Sequence, residues 1–234
     1  MWNYDHLLTS HSHNILKIKT PRHNRNLAEF LGILFGDGSS YRREIGKKIR
    51  DYQIRIAGHS SNDKDYLINF VKPLAKDLFG IEGKIHPHYN EDINCLYLKL
   101  NGKLLSYFLE NIGFPPGNKI KNRLVIPNWI KTDTSYLTAF LRGLVDTDGS
   151  IYRMSNKDPQ LIRLAIKNFI PGFLDSLNSC LQELEFHPCI IRSSSQIFLS
   201  RKEDIQKYTK KIGFNNPKHI YRFRALSKNI SPVV

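Results

Sequence analysis

Two aspartates, Asp37 and Asp148, each precede a glycine at the end of a run of small and apolar residues, LAEFLGILFGDGSSYR (27–42) and TAFLRGLVDTDGSIYR (138–153). Small residues recur at every fourth position, Ala28, Gly32 and Gly36 in the first run and Ala139, Gly143 and Thr147 in the second. That spacing puts each trio on one face of a helix and lets two backbones come close. A glycine inside a helix costs about 1 kcal/mol relative to alanine, so tight packing of the two related helices is the expected compensation. Leu31, Ile33, Leu34, Leu141, Leu144 and Val145 then fill the cores on either side. If the helices lie side by side about a pseudo-twofold axis, their C-terminal ends meet and bring Asp37 and Asp148 together. A carboxylate at the negative end of a helix, close to a second carboxylate, is electrostatically costly. A divalent cation between them removes that cost. Hard carboxylate oxygens suit Mg²⁺, which binds through one or two carboxylates plus phosphate and water. The last helical carbonyls, at Gly36 and Thr147, are expected to add ligands. Asp-Gly also has an ordinary reading, a helix stop followed by a turn; its recurrence at a duplicated position favours the metal. Asp146 has no acidic counterpart, because Phe35 stands at the related position, and reads as a polar flank.

The elements that carry these residues come as two copies of one unit. The two runs above align at an offset of 111 residues, IRIA (54–57) meets IRLA (162–165) at 108, and IGFPPGNKI (112–120) meets IGFNNPKHI (212–220) at 100. Matches in the same order with a shrinking offset indicate duplication with shorter loops in the second copy. Each copy reads as helix, hairpin, helix, hairpin, helix. In the first, Asn26 and Glu29 form a capping-box variant opening a helix closed by Gly38. Strands are predicted near 39–44 and 51–57, a helix at 62–79, strands near 83–88 and 94–100, and a helix at 102–112. The second copy is predicted as helix 135–148, strands 150–154 and 160–166, helix 170–185, strands 189–193 and 196–200, and helix 202–212. The domains are therefore an N-terminal extension (1–26), a first repeat (27–120), a linker (121–134) and a second repeat (135–234).

Lys and Arg outnumber Asp and Glu 35 to 21, for a formal charge of +14 and a pI near 9.7. Such an excess favours a polyanion, since each cation near a phosphate releases condensed counterions. Three cysteines without metal or redox spacing argue against a disulfide framework and for a reducing compartment. No signal-peptide layout and no apolar run of membrane-spanning length is visible. The expectation is an intracellular, cytoplasmic protein with nucleic acid and not membrane as partner.

The two signature stretches, LGILFGDGS (31–39) and LRGLVDTDGS (141–150), resemble the paired motifs of single-chain LAGLIDADG homing endonucleases. Phe35 and Gly36 depart from the namesake string, while both copies keep the final acid. The resemblance implies an α+β fold of two pseudo-symmetric αββαββα units. Each contributes a four-stranded antiparallel sheet to a saddle over double-stranded DNA, and the units pack through the signature helices. It implies that Asp37 and Asp148 hold divalent metal, Mg²⁺ with Mn²⁺ able to substitute, and that one phosphodiester is hydrolysed on each strand. The alternative readings are an intron RNA maturase or a non-cleaving DNA-binding protein on the same fold.

The strands suit a reading surface. Ile54 and Ile56 alternate with Arg55, Ile162 and Leu164 with Arg163, and Leu96, Leu98 and Leu100 with Tyr97 and Lys99. Arg55, Lys84, His86, Tyr97, Lys99, Arg163, Arg192 and Gln196 are expected to share the DNA face. A solvated sheet face is the plain alternative for each. The family also places basic or amide groups beyond the carboxylates. By the strand alignment His59 meets Lys167, and these are the candidates; Lys103 and Lys202, at helix starts, are further ones. His6, His11 and His13 read as part of a tail more readily than as a zinc site. The halves differ where aligned, Gln53 against Leu161 and Tyr97 against Phe198, which predicts a monomer reading an asymmetric target. The start at Met1 without splicing-domain length on either flank favours an intron-encoded protein.

Overall fold

A computed structural model describes residues 18–46, 48–90, 92–155 and 161–227; His6, His11 and His13 lie outside them. Helix α1 (Arg25–Asp37) runs without a turn into β1 (Gly38–Ile45), which pairs with β2 (Lys48–His59). Three helical segments follow in succession: α2 (Lys64–Tyr66), a π-helical turn (Leu67–Val71) and α3 (Lys72–Phe79), closed by Gly80 in the left-handed region at φ 72°. Then come β3 (Lys84–Pro87), β4 (Cys95–Asn101) and α4 (Lys103–Asn111). A short α5 (Asn128–Lys131) interrupts the predicted linker. The second unit comprises α6 (Thr134–Asp148), β5 (Gly149–Arg153), β6 (Ile162–Lys167), α7 (Phe173–Glu183), β7 (Cys189–Ile191), β8 (Gln196–Leu199), α8 (Lys202–Lys211) and α9 (Pro217–Ser227). Both sheets are antiparallel, four-stranded and ordered alike, β1-β2-β4-β3 and β5-β6-β8-β7. The described residues thus form an αββαββα unit used twice, with two extra helices, α5 and α9, that periodicity did not reveal.

Two local expectations are corrected. The α1 cap is Asn24, whose side chain accepts from the Leu27 amide at 2.9 Å, and not Asn26. Neither Asp-Gly forms a turn: Gly38 and Gly149 are extended, at φ −79° and −77°, and begin the next strand directly. Glycine is needed there for space. A Cβ at Gly38 would overlap the Leu34 backbone, and one at Gly149 the backbone of Val145.

The apolar faces of both units join in one continuous core. Phe35 sits at its centre, edge-on to Phe140 at 5.2 Å and tilted against Phe114 and Phe173. The position that lacked an acid is therefore a packing hub between the halves. Helices α1 and α6 pack backbone to backbone. A Cβ on Gly32 would overlap the Phe140 carbonyl, and one on Gly143 the Glu29 carbonyl, a reciprocal pair of contacts across the pseudo-twofold axis. No helix among the described residues is long and apolar enough to cross a membrane.

Candidate metal centre and nucleic-acid interface

Packing α1 against α6 fixes where their last residues lie. Asp37 and Asp148 end the two helices, partly open to solvent and otherwise surrounded by protein. Burial, with Asp63 behind it, pushes the Asp37 carboxyl above the usual range. Burial and the neighbouring charge of Asp37 push Asp148 up to about 7. Each carboxylate thus feels the protein as an environment that resists its charge.

Two lysines answer that charge. The Lys119 ammonium reaches the exposed end of α1, donating to the Phe35 carbonyl at 3.0 Å and to the Gly36 carbonyl. Burial pulls its pKa down, while Asp148 and Asp37 pull it back up. Lys218 Nζ lies 2.8 Å from Asp63 Oδ1 and also lowers the pKa of both Asp37 and Asp148. Burial favours protonation of Asp63, but hydrogen bonds from Lys218, Asn216 and the His59 amide outweigh it and hold the carboxyl below its ordinary value. Sequence reasoning missed both lysines. The nearest signal was the third repeat match, IGFPPGNKI with IGFNNPKHI, in which Lys119 aligns with His219 and Lys218 lies one residue out of step.

Beside the aspartates stand the Gly36 and Thr147 carbonyls, the further ligands expected. The Gly36 carbonyl is already engaged by Lys119. The Thr147 hydroxyl donates back to the Gly143 and Leu144 carbonyls at 3.0 Å and packs against Gly36. Among the described residues no three His, Cys, Asp or Glu side chains cluster to form a complete cage. Two carboxylates at solvent's edge therefore suit a hard cation that takes its remaining ligands from water and phosphate.

Asp146 is no polar flank. It is fully buried and burial raises its pKa to about 7; one oxygen accepts from the Asn215 amide at 2.8 Å and the other has no partner. Nearby, Arg142 forms a buried pair with Glu29 from the other helix, and Asn215 also donates to Glu29. This polar seam lies behind the centre and ties the segment after α8 to both helices.

The strand register corrects one alignment. Gly38 pairs with Ile56 and Gly149 with Ile166, so the second strands correspond at an offset of 110 and not 108. A shift of two keeps side chains on the same face, which is why the alternation matched at either offset. His59 and Lys167 are therefore not equivalent. His59, exposed at the end of β2, has its Nδ1 3.2 Å from the Ser61 amide. Lys167 is exposed at the end of β6, 5.1 Å from the Phe169 ring. Among the described residues, neither hydrogen-bonds or ion-pairs with Asp37 or Asp148. Lys103 and Lys202 open α4 and α8 as expected.

On the first sheet, the face away from the core carries Ser39, Arg55, Lys99 and Lys84 in one row, since these residues pair in that order across four strands. The adjacent row holds Ala57, Tyr97 and His86. Like charges directly opposite each other destabilise a sheet, so the row of three cations suits a polyanionic partner. On the second sheet, Arg163 and Gln196 occupy the corresponding face. Arg192 does not. It lies in the β7–β8 connection and pairs with Asp175 of α7 at 2.8 Å. The corrected register also sets Gln53 against Arg163, and Tyr97 against Gln196, in place of the pairs expected.

Residues 135–213, from α6 to just past α8, match the family described as LAGLIDADG-like domain. Among curated proteins, the chain is 20% identical over 215 residues to a tRNA-splicing ligase of Methanopyrus kandleri, and 27% identical over 150 residues to one of Pyrococcus abyssi. It aligns over 80% and 59% of its own length but spans only 20% and 15% of theirs. Among solved structures it resembles I-DmoI in complex with DNA and Mn, at TM-score 0.55 and 20% identity, covering 81% of this chain and 96% of that one. The LAGLIDADG meganuclease I-AabMI bound to uncleaved DNA gives 0.54 at 15% identity, covering 86% and 90%. The I-LtrWI LAGLIDADG homing endonuclease bound to target DNA gives 0.54 at 14%, covering 88% and 90%.

Proposed function

We propose that this chain, which has the LAGLIDADG homing-endonuclease fold with a LAGLIDADG-like domain in its second half, is a site-specific endonuclease. Its substrate would be a long asymmetric stretch of double-stranded DNA, read by a monomer. The observation that carries this reading is the pair Asp37 and Asp148. They lie at the ends of glycine-packed twin helices, hemmed by Lys119 and Lys218, in a chain of charge +14 whose sheets turn basic side chains outward.

Asp37 and Asp148 would hold the divalent cation, Mg²⁺ or Mn²⁺, which would supply Lewis acidity to the phosphodiester and a more acidic water. The chain's own contribution is positional. The reciprocal glycine contacts lock α1 to α6 and set the two carboxylates in fixed relation. Lys119 and Lys218 offset charge building on phosphate oxygens. The outward rows of the two sheets hold the duplex, cations on phosphates and planar polar groups on base edges. Because the two halves present different side chains at equivalent positions, the target is asymmetric.

The test is selection from a randomised duplex library in Ca²⁺, followed by incubation of the selected duplexes with Mg²⁺ or Mn²⁺. One long site cut on both strands supports the reading. Specific retention of intron RNA without DNA selection would contradict it and support the maturase alternative.

A further inference from the structure

The corrected register exposes a difference between the two DNA-facing sheets. The row Ser39, Arg55, Lys99, Lys84 corresponds to Ser150, Ala165, Phe198, Cys189 on the second sheet. Three cations on one side become an alanine, an aromatic ring and a thiol on the other. The ring does not face the open. Phe198 is only 9% exposed, and the Arg163 guanidinium lies over it, its central carbon 3.7 Å from the ring centroid. Ala165, directly opposite Phe198 on the neighbouring strand, is small enough to leave room for this stack. Arg163 Nε is buried without a hydrogen-bond partner. Its counterpart on the first sheet, Gln53, is occupied: it accepts from Arg55 at 2.7 and 3.0 Å and donates to Asp51 at 2.6 Å.

We propose, on the footing of the endonuclease reading, that Arg163, seated over the Phe198 ring, is the guanine-reading residue of the second half-site. A stacked guanidinium has given up its rotamer freedom before binding and keeps a rigid donor edge. In the major groove, the partner that matches a two-pronged donor is guanine, with O6 and N7 both acceptors. In the first half the arginine that lies over a ring, Arg42 on Tyr107 at 4.1 Å, is already bound to Ser106 and Glu110. The three-cation row of that half and the Asp51–Gln53–Arg55 chain read by charge and by linked amides, so the two half-sites are read by different chemistry.

The experiment uses the full chain in Ca²⁺, with duplexes selected from a randomised library and then substituted one base pair at a time. Arg163→Lys keeps the charge and removes the fork; Phe198→Leu keeps the arginine and removes its platform. The wild type is expected to discriminate for guanine by at least about tenfold at one position of one half-site. Arg163→Lys should lose that preference alone, and Phe198→Leu should lose part of it at the same position. Placing 7-deazaguanine there should weaken the wild type and leave Arg163→Lys unaffected. Uniform weakening by Arg163→Lys across all base pairs, with the guanine preference kept, would mean a phosphate contact and overturn the proposal, as would unchanged discrimination in Phe198→Leu. If the wild type selects no duplex, the endonuclease reading itself fails, and this proposal with it.

Discussion

Asparagine in place of Asp148 should abolish cleavage and, in metal-free solution at alkaline pH, make the protein more stable. The carboxyl moves from 3.8 to about 7 on folding, through burial and the charge of Asp37. An acid whose pKa is raised on folding holds its proton more tightly in the folded state. Stability is then fullest below about 3.8 and is lost as pH rises towards about 7. At about 1.4 kcal/mol per pH unit, the ionised carboxyl costs the fold roughly 4 kcal/mol above neutrality. Partial solvent access reduces this to about 2–4 kcal/mol. In a chain of this length each kcal/mol moves Tm by about 2–4 °C. Thermal melts at pH 8 with a chelator should therefore place Asp148→Asn about 4–15 °C above the wild type. The gap should narrow at pH 5, where the wild-type carboxyl is protonated. Added Mg²⁺ should raise the wild-type Tm and leave the variant's unchanged. An asparagine variant no more stable than wild type at pH 8 would refute the account of the two carboxylates as a strained pair.

Gly32→Ala should destabilise by about 2–4 kcal/mol in urea titrations although alanine is the better helix former, because its Cβ would overlap the Phe140 carbonyl oxygen and lie 2.9 Å from the carbonyl carbon; a neutral result would contradict the close packing of α1 and α6. Arg142→Met should cost about 3–5 kcal/mol by stranding Glu29, which is 3% exposed, and Glu29→Gln added to it should restore most of the loss; failure of the second change to rescue would show that the pair does not act as a unit. Lys119→Met removes the ammonium that engages Gly36 and faces both carboxylates, so Ca²⁺ should bind more tightly by calorimetry while cleavage falls. Unchanged Ca²⁺ affinity would place Lys119 outside the metal centre.

The sequence made the architecture legible because the duplication displays the same periodicities twice. The small-residue spacing predicted the helix pair, and alternation around Ile54 and Leu164 placed the strands on the correct faces. What stayed hidden had physical causes. A two-residue slip preserves face, so the IRIA–IRLA match concealed the true register and led to His59 and Lys167 as a pair. Lys119 and Lys218 reach the centre from segments that follow α4 and α8, a long-range contact that no local pattern announces. Asp146 read as a flank because its partners, Asn215 and Asn216, come from that same distant segment. Arg192 fell inside the strand expected at 189–193, but β7 ends at Ile191 and the pairing with Asp175 takes Arg192 to α7.

The most direct test of the account is to follow cleavage and binding together on one selected duplex, with the wild type beside the Asp37→Asn, Asp148→Asn double variant. The account predicts Mg²⁺-dependent cutting of both strands by the wild type. The double variant should bind the same duplex specifically, to within about tenfold, and show no cleavage. Cutting by the double variant, or cutting by the wild type in the absence of any divalent cation, would contradict it.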